Sequence, residues 1–193
     1  MKKNLSLLIA LSTIICFATQ ANAQVRSWTK NGNNSFNQTT GCGNCLGMLW
    51  SAPGEAHLDM GSGFDYVVPP LNAAYIDLAP FNNCVSSTNC YYTRAIMTTD
   101  FQYSFPTNVA ITITGIQLKI YGQAIDANTV KDMEVKLVYN GTAIGVNRKK
   151  NIYWPTTYTE RTYGSSTDLW GITWTPAMIS DPGWGYDFKV KNM

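Results

Sequence analysis

From Val109 the apolar residues fall on odd positions, Val109, Ile111 and Ile113, and after Gly115 on even ones, Ile116, Leu118 and Ile120. A period of two marks a strand with one buried face. The change of phase at Thr114-Gly115 predicts one inserted residue, a β-bulge that keeps both halves on a single core; two short strands broken by a turn are the alternative. The next segment sets Met133, Val135, Leu137 and Tyr139 on one face and Glu134, Lys136 and Asn140 on the other. Asn140-Gly141 supplies the two positive-φ residues of a type I′ turn, and Ala143, Ile144 and Val146 form the returning strand. One oily face and one charged face describe an antiparallel sheet wetted on one side. Such a sheet buries its apolar face by packing on a second one. The expected fold class is therefore all-β, an antiparallel β-sandwich of jelly-roll-like or Ig-like type.

The remaining chain adds shorter elements. Residues 24–31 read as a first strand with Trp28 turned inward, and 46–50, 64–68, 74–78 and 91–98 as further strands. Residues 160–163 are short and extended. Thr175-Pro176 predicts an N-cap followed by Pro at the first helical position, opening one turn through Ile179 that Asp181-Pro182-Gly183 ends. From Trp184 to Val190 bulky apolar residues alternate with Gly, Asp and Lys, a last strand.

The first 23 residues stand apart. Lys2-Lys3, an apolar run over 5–18 and Ala21-Asn22-Ala23 have the layout of a secretory signal peptide, with cleavage between Ala23 and Gln24. The run is shorter than the roughly 20 apolar residues of a membrane span. Ile15 is too bulky for the residue before a lipidated Cys16. The expected organisation is a signal peptide over 1–23 and a single domain over 24–193, cysteine- and loop-rich in 24–90 and carrying the core strands in 91–193. The expected location is secreted, extracellular or at the cell surface, with no membrane span in the mature chain.

Removing Lys2 and Lys3 leaves 12 basic against 12 acidic residues, so the basic excess of the whole chain belongs to the leader. An electrostatic case for binding nucleic acid goes with it. Charged residues make up 13% and aromatics 12%, with Gly 15 and Pro 8, a balance that suits an exported β-domain. Cys42, Cys45, Cys84 and Cys90 survive processing, an even number in an oxidising compartment, which predicts two disulfides. Cys84 with Cys90 and Cys42 with Cys45 is the favoured pairing, the crossed pairings remaining open. The second pair is spaced C-x5-C, unlike a zinc ribbon, so neither a metal nor any other cofactor is expected.

The succession GIQLKIYG, DMEVKLVYNGTAIG, WPTTYTERTYGSSTDLWGITWTPAMI and WGYDFKVKN resembles a poorly characterised β-sandwich domain that recurs in secreted and surface proteins of Bacteroidota and in some phage proteins. The resemblance covers roughly residues 91–193, and its most specific part is Tyr163-Gly164, then Asp168-Leu169-Trp170-Gly171 and Thr175-Pro176. It implies a sandwich without established catalytic residues. It also implies one more strand after WGYDFKVKN, so the chain is expected to be one strand short, a truncated product or a fragment. The cysteine-rich first half departs from that pattern.

Chemistry-bearing residues are sparse. His57 lies between Glu55 and Asp59, a spacing compatible with a general base or ligand and equally with a solvated loop. Gly61-Ser62-Gly63 lacks the spacing of a nucleophile elbow. Aromatics carry more: Tyr153, Trp154, Trp170 and Trp174, beside Arg148 and Lys149, have the composition of a sugar-stacking platform with a basic rim, against the competing use of those rings in a core. The expected function is a non-enzymatic attachment or carbohydrate-binding module that meets a glycan or cell-surface component. The alternatives are a structural domain of a larger extracellular assembly and a small secreted hydrolase.

Overall fold

The alternating segments are strands in the computed structural model, which describes residues 6–20, 25–31, 34–37, 74–77, 93 and 95–193. In chain order they are β1 (Ser6–Gln20), β2 (Val25–Asn31), β3 (Asn34–Asn37), β4 (Ala74–Asp77), β5 (Ile96–Thr99), β6 (Ile111–Ala124), β7 (Val130–Tyr139), β8 (Thr142–Ile144), β9 (Thr159–Ser165) and β10 (Gly185–Asn192), with one helical turn, α1 (Pro176–Ile179). One five-stranded sheet runs β2-β1-β6-β9, with β4 also paired to β1. The other runs β3-β5-β10-β7-β8. All pairings are antiparallel. Ile14, Ile116, Leu118 and Ile120 of the first sheet share one core with Ile96, Val135, Leu137, Tyr186 and Phe188 of the second. The molecule is an all-β sandwich. Each fully buried aliphatic or aromatic side chain favours this arrangement by roughly 1.5–3 kcal/mol, which is why the alternation dictates the layers.

The phase change in β6 is a bulge. Opposite β1 the register passes from Ile113↔Ala18 to Gly115↔Phe17, so Thr114 is the extra residue. Burial follows: Ile113 is buried before the bulge and Ile116, Leu118 and Ile120 after it. The Asn140-Gly141 turn has φ of 50° and 72°, as a type I′ hairpin requires. Thr175 caps α1 by accepting from the Met178 amide at 3.2 Å, with Pro176 at the first helical position.

A second bulge, in β7, changes one expectation. The register with β10 passes from Glu134↔Lys189 to Asp132↔Val190 and skips Met133. Met133 is therefore only partly buried, and Val130 and Asp132 occupy the core face at that end of the strand. A charged residue takes the place expected for an oily one.

The apolar run expected to be a leader is β1, described here in the uncleaved chain between β2 and β6. Ile14, Cys16 and Ala18 are completely buried. Burial pushes the Cys16 thiol up to about 12, so it stays protonated and behaves as a small apolar side chain. The strands expected at 46–50 and 64–68 and the cysteines Cys42, Cys45, Cys84 and Cys90 lie outside the described residues. No helix among the described residues is long and apolar enough to cross a membrane.

Candidate functional site

The tryptophans nominated as a platform are interior. Trp154, Trp170 and Trp174 are 1%, 0% and 4% exposed, and Trp184 is 0% exposed. None offers a ring face to a ligand, so the expected stacking platform does not form from them. Each is held by a specific polar or aromatic arrangement, and those arrangements explain the motifs.

Trp170 belongs to the β6 bulge. Its indole Nε1 donates to the Ile116 carbonyl at 3.0 Å, and the Ile116 amide donates to the Asp168 carbonyl at 2.9 Å. Both main-chain groups of the residue just past the bulge are thereby satisfied by the segment after β9. Asp168 Oδ1 accepts from the Trp170 amide at 2.8 Å and from Arg148 Nη2 at 2.6 Å, stabilising the unusual φ of 57° at Trp170. Gly164, at φ 72°, lies against this indole: a Cβ there would sit 2.3 Å from the Ile116 oxygen and 2.6 Å from Trp170 Nε1. A Cβ on Gly115 would come within 2.2 Å of the Ser166 backbone. Tyr163-Gly164 and Asp168-Leu169-Trp170-Gly171 thus form a plug that closes the sandwich over the bulge, and Arg148 is bound into that plug.

Trp154 belongs to a buried polar centre on Asp132. Asp132 Oδ1 accepts from Trp154 Nε1 at 2.8 Å and from Arg161 Nη1 at 3.2 Å. Oδ2 accepts from the Lys150 amide at 2.9 Å and from the Tyr163 hydroxyl at 3.0 Å. Arg161, itself buried, donates also to the carbonyls of Ile152 (3.3 Å) and Tyr153, and its guanidinium lies 4.0 Å from the centre of the Trp154 ring. Burial raises the Asp132 carboxyl above its usual range, while the Lys150 amide, Arg161, Trp154 and Tyr163 pull it back. With four donors converging on two oxygens, the charge is fully employed inside the fold. The centre ties β7, β9 and the 150–154 segment together.

Trp174 donates to the Leu169 carbonyl at 3.0 Å and meets Trp184 edge-on at 6.1 Å and 85°. Trp184 also packs edge-on against Phe101 (5.8 Å, 74°) and Tyr103 (5.7 Å, 80°). The Tyr103 hydroxyl reaches across to the Ile14 carbonyl of β1.

Of the nominated residues, Tyr153 and Lys149 remain at the surface. Tyr153 is 37% exposed beside Ile152, 56% exposed, and Lys131 Nζ sits 4.1 Å from the centre of the Tyr153 ring, covering one of its faces. Lys149, exposed, is held at its amide by Asn147 Oδ1 at 3.0 Å. The structure brings Tyr153 together with Lys131, a neighbour that sequence spacing did not suggest; their pairing is a β-bridge between the end of β7 and the 150–154 segment. His57, Glu55 and Asp59 lie outside the described residues.

Two other features stand out. A groove of about 400 Å³ is lined by Phe105, Pro106, Val109, Ile111, Pro176 and Ala177 together with Thr107 and Ser180, and none of the nominated residues lines it. Asp187, on the face of β10 opposite Tyr186 and Phe188, is completely buried and both its oxygens lack a hydrogen-bond partner. Burial pushes its carboxyl up to about 7, with Lys189 and Lys136 opposing and Glu134 adding to the rise. Among the described residues no group of three or more His, Cys, Asp or Glu side chains is gathered to hold a metal ion.

No family model, curated protein or solved structure matches the chain.

Proposed function

We propose that the chain is an exported, non-catalytic β-sandwich module that serves as a structural unit of an extracellular or cell-surface assembly. The observation that carries this reading is the interior placement of Trp154, Trp170, Trp174 and Trp184. The side chains best suited to grip a ligand are spent on holding two sheets and a bulge together. Asp132 and Arg161 beside Trp154, and Asp168 with Arg148 beside Trp170, are spent in the same way. Sequence that invests its aromatic and ionic residues in closing a sandwich supports a load-carrying or spacing role. Fractionating cells that express the chain, followed by surface cross-linking, tests it: a cross-linked complex of discrete mass is expected, and a chain recovered only as a free species from the cytoplasm refutes it.

A second reading retains a sugar or anionic glycan as partner, now confined to Tyr153, Ile152, Lys131 and Lys149. Half-covered Tyr153 leaves one ring face for a pyranose, and Lys131 supplies charge beside it. A glycan array read with the wild-type chain and with Tyr153→Ala separates the two. Binding lost on substitution supports the patch; the same profile from both proteins, or none, removes it.

A further inference from the structure

Strand β1 is placed in an unusual position for a segment with the layout of a leader. It has neighbours on both edges: β6 along one, and β2 and β4 end to end along the other. With β6 it forms twelve register pairs, from Leu7↔Ala124 to Gln20↔Ile111. Ile14, Cys16 and Ala18 lie opposite Leu118, Ile116 and Ile113, all buried. Cleavage between Ala23 and Gln24 would cut the chain between β1 and β2 and release a strand from the interior of a sheet.

The consequences for the rest of the sheet follow from hydrogen-bond accounting. One edge of β6 would lose its partner along nearly its whole length, and the Tyr103 hydroxyl would lose the Ile14 carbonyl. Exposed strand edges over an apolar face recruit other strands. The processed chain has little of its own to offer. β2 spans seven residues against fourteen in β6, and it carries Arg26 and Lys30. It also runs antiparallel to β1, hence parallel to β6, in a sheet whose pairings are otherwise antiparallel. The other described strands of seven or more residues after Gln24, β2, β7, β9 and β10, all carry charged residues.

From this we infer that β6 is the wall of a strand-binding slot, vacated when the leader is removed and refilled by an uncharged β-strand donated by a different protein of the assembly. The inference rests on the export and assembly reading given above. The chemistry of the donor is written in β1. The donor runs antiparallel to β6 and matches its twelve pairs. It has no charge over that length and sets a large, then a small, then a smaller side chain against Leu118, Ile116 and Ile113, as Ile14, Cys16 and Ala18 do. A steric taper toward the bulge and the absence of charge give it selectivity, because a buried, unpaired carboxylate there is strongly disfavoured.

The test uses the full chain with a protease recognition sequence inserted between Gln20 and Gln24, folded first and cut afterwards. The cut chain is incubated with an isotopically labelled peptide of residues 1–23, whose two lysines keep it soluble, and exchange is read by native mass spectrometry. One labelled peptide per chain is expected to enter. Peptides carrying Ile14→Asp or Cys16→Asp are expected to compete at least tenfold less well. Amide hydrogen exchange over residues 113–120 should rise by tenfold or more in cut chain stripped of peptide and return to protection when peptide is added. The slot is overturned if the cut strand never exchanges, if the Asp-bearing peptides compete equally, or if residues 113–120 stay protected after stripping. Self-association of the stripped chain that protects those amides would replace the foreign donor with a second copy and overturn the proposal as stated. Intact mass of the secreted chain tests the premise separately: a product beginning at Gln24 supports it, and one retaining residues 1–23 sinks the vacating step whatever the peptide does.

Discussion

Asp187 is an intramolecular test of how much an isolated charge costs this sandwich. Its carboxyl ordinarily ionises near 3.8 and does so near 7 in the fold, because burial withholds water and no donor replaces it. Between those values the unfolded chain releases a proton that the folded chain keeps. Folding stability therefore falls as pH rises from about 4 to about 7, and the penalty is complete above that. At about 1.36 kcal/mol per decade the full penalty is on the order of 4 kcal/mol, a large part of the 5–15 kcal/mol typical of a domain. Asp187→Asn keeps the shape and the unmet hydrogen bonds but removes the charge. Urea unfolding should show the variant more stable than wild type by about 2–4 kcal/mol at pH 8, a midpoint increase of roughly 1–2 M for a slope near 2 kcal/mol/M. At pH 4 the two proteins should agree to within about 0.5 kcal/mol. A gain of equal size at both pH values, or none at pH 8, would refute the reasoning, since a titrating group gives an advantage that disappears as pH falls.

Other substitutions separate arrangement from mere burial. Trp154→Phe removes a charge-assisted donor from Asp132, whereas Trp184→Phe removes an indole N–H that has no partner, so the first should cost about 1.5–3 kcal/mol more in chemical denaturation. Gly164→Ala meets both a positive φ and a sub-contact Cβ and should lose roughly 2–5 kcal/mol, while Gly141→Ala, at the same φ with open space around it, should lose about 1–2; thermal melts of the pair give the comparison. Thr175→Ala deprives the Met178 amide of its cap and should lower stability by about 1 kcal/mol, read in the same melts.

The layers of this sandwich were legible wherever alternation ran unbroken. The β6 bulge could be read because a phase change between Ile113 and Ile116 leaves the apolar residues themselves as witnesses. The β7 bulge could not, because Met133 continues the apparent pattern and hides the slip, and because the residue that takes the core face is an aspartate. Nothing local announces that Asp132 is buried: its partners Trp154, Arg161 and Tyr163 lie 22, 29 and 31 residues away. The tryptophans were misplaced for a related reason. They lie in polar, turn-rich segments, and only the three-dimensional path, including a positive φ at Trp170, folds those segments back under the sheets. Residues 6–20 show a different ambiguity, since an uncharged apolar run is equally the composition of a secretion signal and of a strand buried on both edges.

The place of β10 has a mechanical consequence. It lies between β5 and β7, with four register pairs on one side and eight on the other. A pull applied lengthwise at its C-terminal end loads both ladders in shear, so many hydrogen bonds must fail together and none can be peeled singly. Strands at the rim, such as β8 with its three pairs, detach bond by bond under much smaller force. Tension entering through the last strand would thus be met by the stiffest direction of the sheet, and the lifetime of the module under tension would follow its unfolding rate more closely than its equilibrium stability.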